Sequence, residues 1–229
     1  MKDIFGKITF GFFMAQFVPG AICVLGIGIL FIHSPEIGRL TLLAAFQESL
    51  NFWTLSTITK LIFLTLSIGA GMAIHGLHWA VLGFLETFNL KDDKKNKSIS
   101  ETFWHNWPIF LQVLVGPIKI ILEVLAFFFL GKGIDSVSIE ENVPDISKDK
   151  MGAFQFIEDF YLHFAQFYAH TSYALLIALI TSTIVCIKFN FVKCGIIILI
   201  YLFCGLFFII GRIQLTALFK AENELKETT

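Results

Sequence analysis

Five stretches of the chain are apolar over a long distance, and most charged residues fall between them. Residues 8–32 contain no Asp, Glu, Lys or Arg. As a helix rising about 1.5 Å per residue, they are long enough to cross about 30 Å of hydrocarbon. Pro19-Gly20 near the middle predicts a kink. Residues 61–85 form a second span, preceded by Trp53 at headgroup level, and 108–131 a third, entered through Trp104 and Trp107. From 151 to 187 the helical pattern is too long for one perpendicular crossing. Its first part is therefore expected to project or lie at the interface, with 168–187 as the fourth span. Residues 194–211 form the last. Charged loops (86–107 and 132–150) and a charged tail (212–229) complete the layout. The pattern predicts an all-α, polytopic membrane bundle of five transmembrane helices, or four if one of the two short final segments does not cross. The whole chain, 1–229, reads as a single membrane domain with no separate soluble domain.

Composition strengthens that picture. Of 229 residues, 56% are hydrophobic and only 15% charged, against about 25% charged in an ordinary soluble domain. The net charge of −1 offers no basic field to neutralise phosphates, so nucleic acid is not an expected partner. Cys23, Cys186, Cys194 and Cys204 lie in or beside apolar segments with no C-x-x-C spacing, and read as small core residues. Alternating five spans puts eight basic residues on each side, so the positive-inside rule does not choose an orientation. Acidic residues favour the second side, which leans toward a cytoplasmic N-terminus.

Charge enters the spans at one place above all. Lys119 and Glu123 stand one helical turn apart inside the third span, where a central charge costs about 2.5–3.5 kcal/mol on insertion scales. Advancing 100° per residue puts Gln112, Gly116, Lys119 and Glu123 on one line, opposite a surface of Ile, Leu, Val and Phe. Such a face is expected to point at protein or water. Lys before Glu is the weaker order for a pair four apart, which predicts a partner on another helix. The second span carries a similar stripe of Ser67, Gly71, His75, His78 and Glu86, whose small members allow close helix approach. The fourth helix adds Gln155, Asp159, His163, Gln166 and His170. These seams read as either an oligomer interface or a pore lining. An amphipathic helix at the membrane surface is the plainer reading of the last one.

The chain contains no H-E-x-x-H, G-x-S-x-G, P-loop or dinucleotide pattern. It is therefore not expected to be an enzyme, and no catalytic, metal-binding or cofactor-binding residue is assigned. In size, span number, its Phe-, Ile- and Lys-rich character and the Val18-Pro-Gly20 break, the chain resembles the membrane component of Kiwa-type bacterial anti-phage defence systems. The resemblance is one of layout and carries no functional residue across. It implies an oligomeric sensor or scaffold of the bacterial inner membrane that works with a cytosolic effector.

Three functions remain open on the sequence. The leading expectation is a non-enzymatic subunit of a homo-oligomer in the lipid bilayer, acting as sensor, scaffold or effector with a cytosolic protein partner. A small channel or proton-coupled transporter using Lys119, Glu123 and the histidines is the first alternative. A membrane-embedded enzyme acting on lipid is the second.

Overall fold

One helix organises the bundle. In a computed structural model, residues 11, 13–32, 57–89, 107–130, 150–157, 161–189 and 194–227 are described, and their regular structure is entirely helical. A π-helical turn, Phe13–Phe17, runs into α1, Val18–Ile32. There follow α2 (Thr57–Asn89), α3 (Ile109–Leu130), the short α4 (Met151–Ile157), α5 (His163–Phe189) and α6 (Cys194–Glu227). Among the described residues, four helices hold windows long and apolar enough to cross a membrane: Lys60–Val81, Ile109–Phe129, His163–Ile187 and Gly195–Leu218. Phe13–Gly28 is apolar but shorter. Within its window α5 is 61% buried, against 17–28% for the other three, so α5 is the hub.

The sequence explains why neighbouring helices come so close. Apolar side chains gain little from meeting each other rather than lipid tails, so helices associate through close packing and hydrogen bonds. At Gly20, α1 comes so near α2 that an added methyl would overlap the Ser67 carbonyl oxygen; at Gly71, it would overlap that of Gln16. On the other side of the bundle, Gly116 of α3 meets Gly205 of α6, with the Gly205 Cα 3.0 Å from where a Gly116 methyl would stand. Around these crossings pack Cys23, Ile74, Ile120, Leu176, Leu179, Cys204, Phe208 and Ile209. Cys204 also donates to the Ser172 carbonyl at 3.3 Å. Both it and Cys23 are buried free thiols, the core role their surroundings suggested.

Helix directions follow from which residues meet. His170 and Thr181 of α5 bond the carbonyls of Ala15 and Gly26, each 155 positions earlier, so α1 and α5 are parallel. Tyr201 and Arg212 of α6 bond α3 partners 87 and 89 positions earlier, so α3 and α6 are parallel too. Gly20 meets Ser67 while Gly71 meets Gln16, so α1 opposes α2. Cys204 meets Ser172 while Gly211 meets Ala169, so α5 opposes α6. Together, α2, α3 and α6 point one way, and α1 and α5 the other.

Strict alternation of five spans, the basis for dividing the basic residues between two sides, would set α3 against α2. Here it runs with α2, because α3 is placed by its partners on α6. The apolar window of α6 also continues to Leu218, so Arg212 falls inside it rather than heading a separate tail. Single cysteines at Thr57 and Ile109, in a background cleared of native cysteines, are expected to react with an impermeant thiol reagent from the same face of sealed vesicles. Labelling from opposite faces would contradict the parallel arrangement of α2 and α3.

Candidate functional site: a histidine cluster and a buried ion pair

Two prolines prepare the site. Pro has no N–H, so Pro19 and Pro117 each free the carbonyl four residues earlier, on Ala15 and Val113. In an apolar layer such a carbonyl must find a partner on a neighbouring helix. His170 donates its Nδ1–H to the Ala15 carbonyl. The π turn at Phe13–Phe17 widens the backbone just where the Pro19 ring would otherwise collide with it. The Val113 carbonyl oxygen occupies the place where a Gly205 methyl would be, the close approach of a Cα–H···O contact between helices. One residue on, the Leu114 carbonyl accepts from the Tyr201 hydroxyl.

Accepting at Ala15 fixes the tautomer of His170, because a carbonyl can only accept. Its Nε2 therefore carries a lone pair. That atom is buried and makes no hydrogen bond among the described residues, and the same is true of Nδ1 of His75 and of His78. His75 and His78 each stand edge to face with His170. His170 lies 5.1 Å from His75 and 5.2 Å from His78, centre to centre, and Tyr173 lies 5.8 Å from His78.

Beside the histidines is a cavity of about 30 Å³, room for about two water molecules. His78, Trp79, Glu123, Gln166, Tyr173 and Arg212 are among its walls. Glu123 has only 9% of its side chain exposed and accepts from Arg212 at 3.1 Å, while Lys119 approaches the same oxygen at 3.9 Å. Arg212 also lies over the Phe208 ring, 5.4 Å from its centre. Glu123 and Arg212 each stand six residues before the end of their apolar windows. That is a depth of about 9 Å along a helix. The principal counter-ion of the buried carboxylate is therefore Arg212 of α6, with Lys119 as a longer second contact.

The seams read from the sequence can now be placed. On α3, Gly116 and Glu123 face α6, and Gln112 ties the first turn to the segment before it by donating to the Trp107 carbonyl at 2.7 Å. On α2, Ser67 and Gly71 lie against α1, whereas His75 and His78 meet α5. On α5, Gln166 lines the cavity, His170 is wholly buried, and the His163 ring packs against Gly11. Gln155 is exposed on α4. Asp159 lies outside the described residues, as does the side chain of Glu86. The structure thus joins His75, His78 and His170 in one cluster and places Gln166 and Glu123 beside it, but sets His163 and Ser67 elsewhere.

Sequence reasoning overlooked Arg212, Tyr173 and the Ala15 carbonyl. Two signals pointed to them. Gly116 precedes Glu123 by seven residues as Gly205 precedes Arg212, the spacing of two parallel helices that touch at a glycine and then at a charge. Each proline marks the carbonyl four places back. Compared with protein-family models, curated proteins and solved structures, the chain matches none of them.

Removing one partner of a buried ion pair strands the other, at a typical cost of about 3–5 kcal/mol. Arg212→Met is accordingly expected to lower the unfolding free energy in detergent by about 3 kcal/mol, near the low end because Arg212 is itself 36% exposed. Adding Glu123→Gln to that variant should recover most of the loss. Two single changes that simply add would show that Glu123 and Arg212 do not stabilise each other.

Proposed function

We propose that the protein is a non-enzymatic membrane subunit that acts as a sensor or scaffold within a homo-oligomer of the bacterial inner membrane, together with a cytosolic partner. The observation that carries the reading is where the polar residues of α3 are used. Gly116 and Glu123 are engaged by α6 of the same chain, and the outward face carries Ile109, Phe110, Leu114, Ile118, Leu122, Leu125 and Phe129. A bundle tied internally by an ion pair and close glycine contacts suits the relay of helix movement. Its broad apolar exterior suits contact with lipid and with further copies. The layout resemblance to Kiwa-type membrane components supports a role in anti-phage defence.

Native mass spectrometry of the full chain in mild detergent is the direct test of assembly. A defined oligomer is expected. A single chain at all protein concentrations would overturn the homo-oligomeric part of the proposal.

A second reading, a proton-coupled transporter or small channel, draws on the three ionisable residues His78, Glu123 and Arg212 that line one otherwise largely apolar cavity. Proteoliposome flux separates the two. A flux abolished by Glu123→Gln with Lys119→Met would favour the conducting reading; no flux, or one indifferent to those changes, is the outcome expected of a sensor or scaffold.

A further inference from the structure

We propose that Arg212, with Lys119 beside it, holds the phosphate of one anionic phospholipid against the outer side of the buried ion pair. The proposal does not depend on whether the protein is a sensor or a transporter. It starts from how charge is shared at Glu123. Arg212 and Lys119 approach the same oxygen of that residue, at 3.1 and 3.9 Å, so two cations share one carboxylate. Glu123 is enclosed, with 9% of its side chain exposed, whereas Arg212 and Lys119 show 36% and 30%. The negative charge thus lies inside the bundle, and part of each positive group faces outward. A guanidinium also carries five N–H donors in a fork that fits two oxygens of a phosphate. Among the described residues Arg212 donates through Nη2 to Glu123 and lays its face over the Phe208 ring, which leaves the rest of the fork to an outside acceptor.

Position selects the kind of anion. Both cations lie within the apolar windows of α3 and α6, next in sequence to exposed Ile118, Leu122 and Ile213. That surface suits lipid rather than water, so the anion has to arrive attached to an acyl chain. Arg212 stands six residues before the end of its window, a depth of about 9 Å along the helix. Snorkelling of the long side chain and local thinning of the bilayer bring guanidinium and headgroup together. Trp79, an exposed indole on the same cavity wall as Arg212, marks the level, because Trp is enriched where hydrocarbon meets headgroups. Charge then selects among lipids. Phosphatidylglycerol carries one net negative charge and brings Arg212, Lys119, Glu123 and the phosphate together to neutrality. Phosphatidylcholine carries its own cation and brings no net charge.

The test is fluorescence quenching in vesicles that hold the full chain in phosphatidylcholine with a minor fraction of one brominated lipid. Trp53, Trp104 and Trp107 are replaced by Phe, which leaves Trp79 as the reporter. At equal mole fraction, brominated phosphatidylglycerol is expected to be preferred over brominated phosphatidylcholine about fivefold, the advantage of about one charge near the membrane surface. Arg212→Met with Glu123→Gln should abolish the preference, and Lys119→Met should reduce it. Glu123→Gln alone should raise it about twofold or more, because the phosphate then has both cations without a competing carboxylate. A purely structural ion pair would move the preference in neither direction. Lys60→Met, at the other end of the α2 window, should leave it unchanged. Circular dichroism of each variant establishes that it is folded. Equal quenching of the Trp79-only chain by the two lipids would overturn the proposal, as would a preference that survives in folded Arg212→Met, Glu123→Gln. Quenching by a brominated fatty acid but not by phosphatidylglycerol would overturn it too, and would make the occupant a carboxylate.

Discussion

A polar group inside an apolar layer has to be answered by another part of the same structure, and this bundle is arranged around three that must be. The Ala15 and Val113 carbonyls lose their helical donors to Pro19 and Pro117, and Glu123 carries a charge. His170 answers the first, Gly205 approaches the second, and Arg212 pairs with the third. Those contacts fix α1 against α5 and α3 against α6, both in parallel. The glycine crossing at Gly20 and Gly71 then seats α2. Apolar packing fills the space between these ties, but lipid offers apolar surface equally well and cannot choose among arrangements.

Arg212 and Glu123 illustrate how one contact constrains several levels at once. Their pairing sets the register of α3 on α6, extends the apolar part of α6 past the arginine, and closes one wall of the central cavity. It also sets the direction of α3, which runs with α2 instead of against it. Charge burial outweighs the habit of consecutive helices to alternate, because the cost of an unanswered carboxylate is several kcal/mol.

Much of the layout was legible in the chain. Uninterrupted apolar runs located the long helices, and helical phase put Gly116 and Glu123 on one face of α3 and His75 and His78 on one face of α2. Phase alone could not say which neighbour each face meets. Gly116 reads the same whether it touches α6 of its own chain or another copy, and the histidines of α2 and α5 are about 90 residues apart in sequence. Arg212 was hidden for a different reason. It is the first charge after a long apolar run, with none following until Lys220, and a pattern reading stops the span there, whereas a side chain that pairs with Glu123 lets the helix continue. The His170–Ala15 bond required two facts to be read together: a proline's missing donor and a histidine 155 residues away.

The central claim is that the charged face of α3 is closed inside one chain. Charge exchange tests it most directly. Glu123→Arg and Arg212→Glu should each destabilise the protein alone, and together in one chain should restore a stable, folded protein. Placed on two separate, co-expressed chains they should fail to rescue each other. Rescue between chains, with none within a chain, would show that Glu123 and Arg212 meet across a subunit interface and would contradict the account.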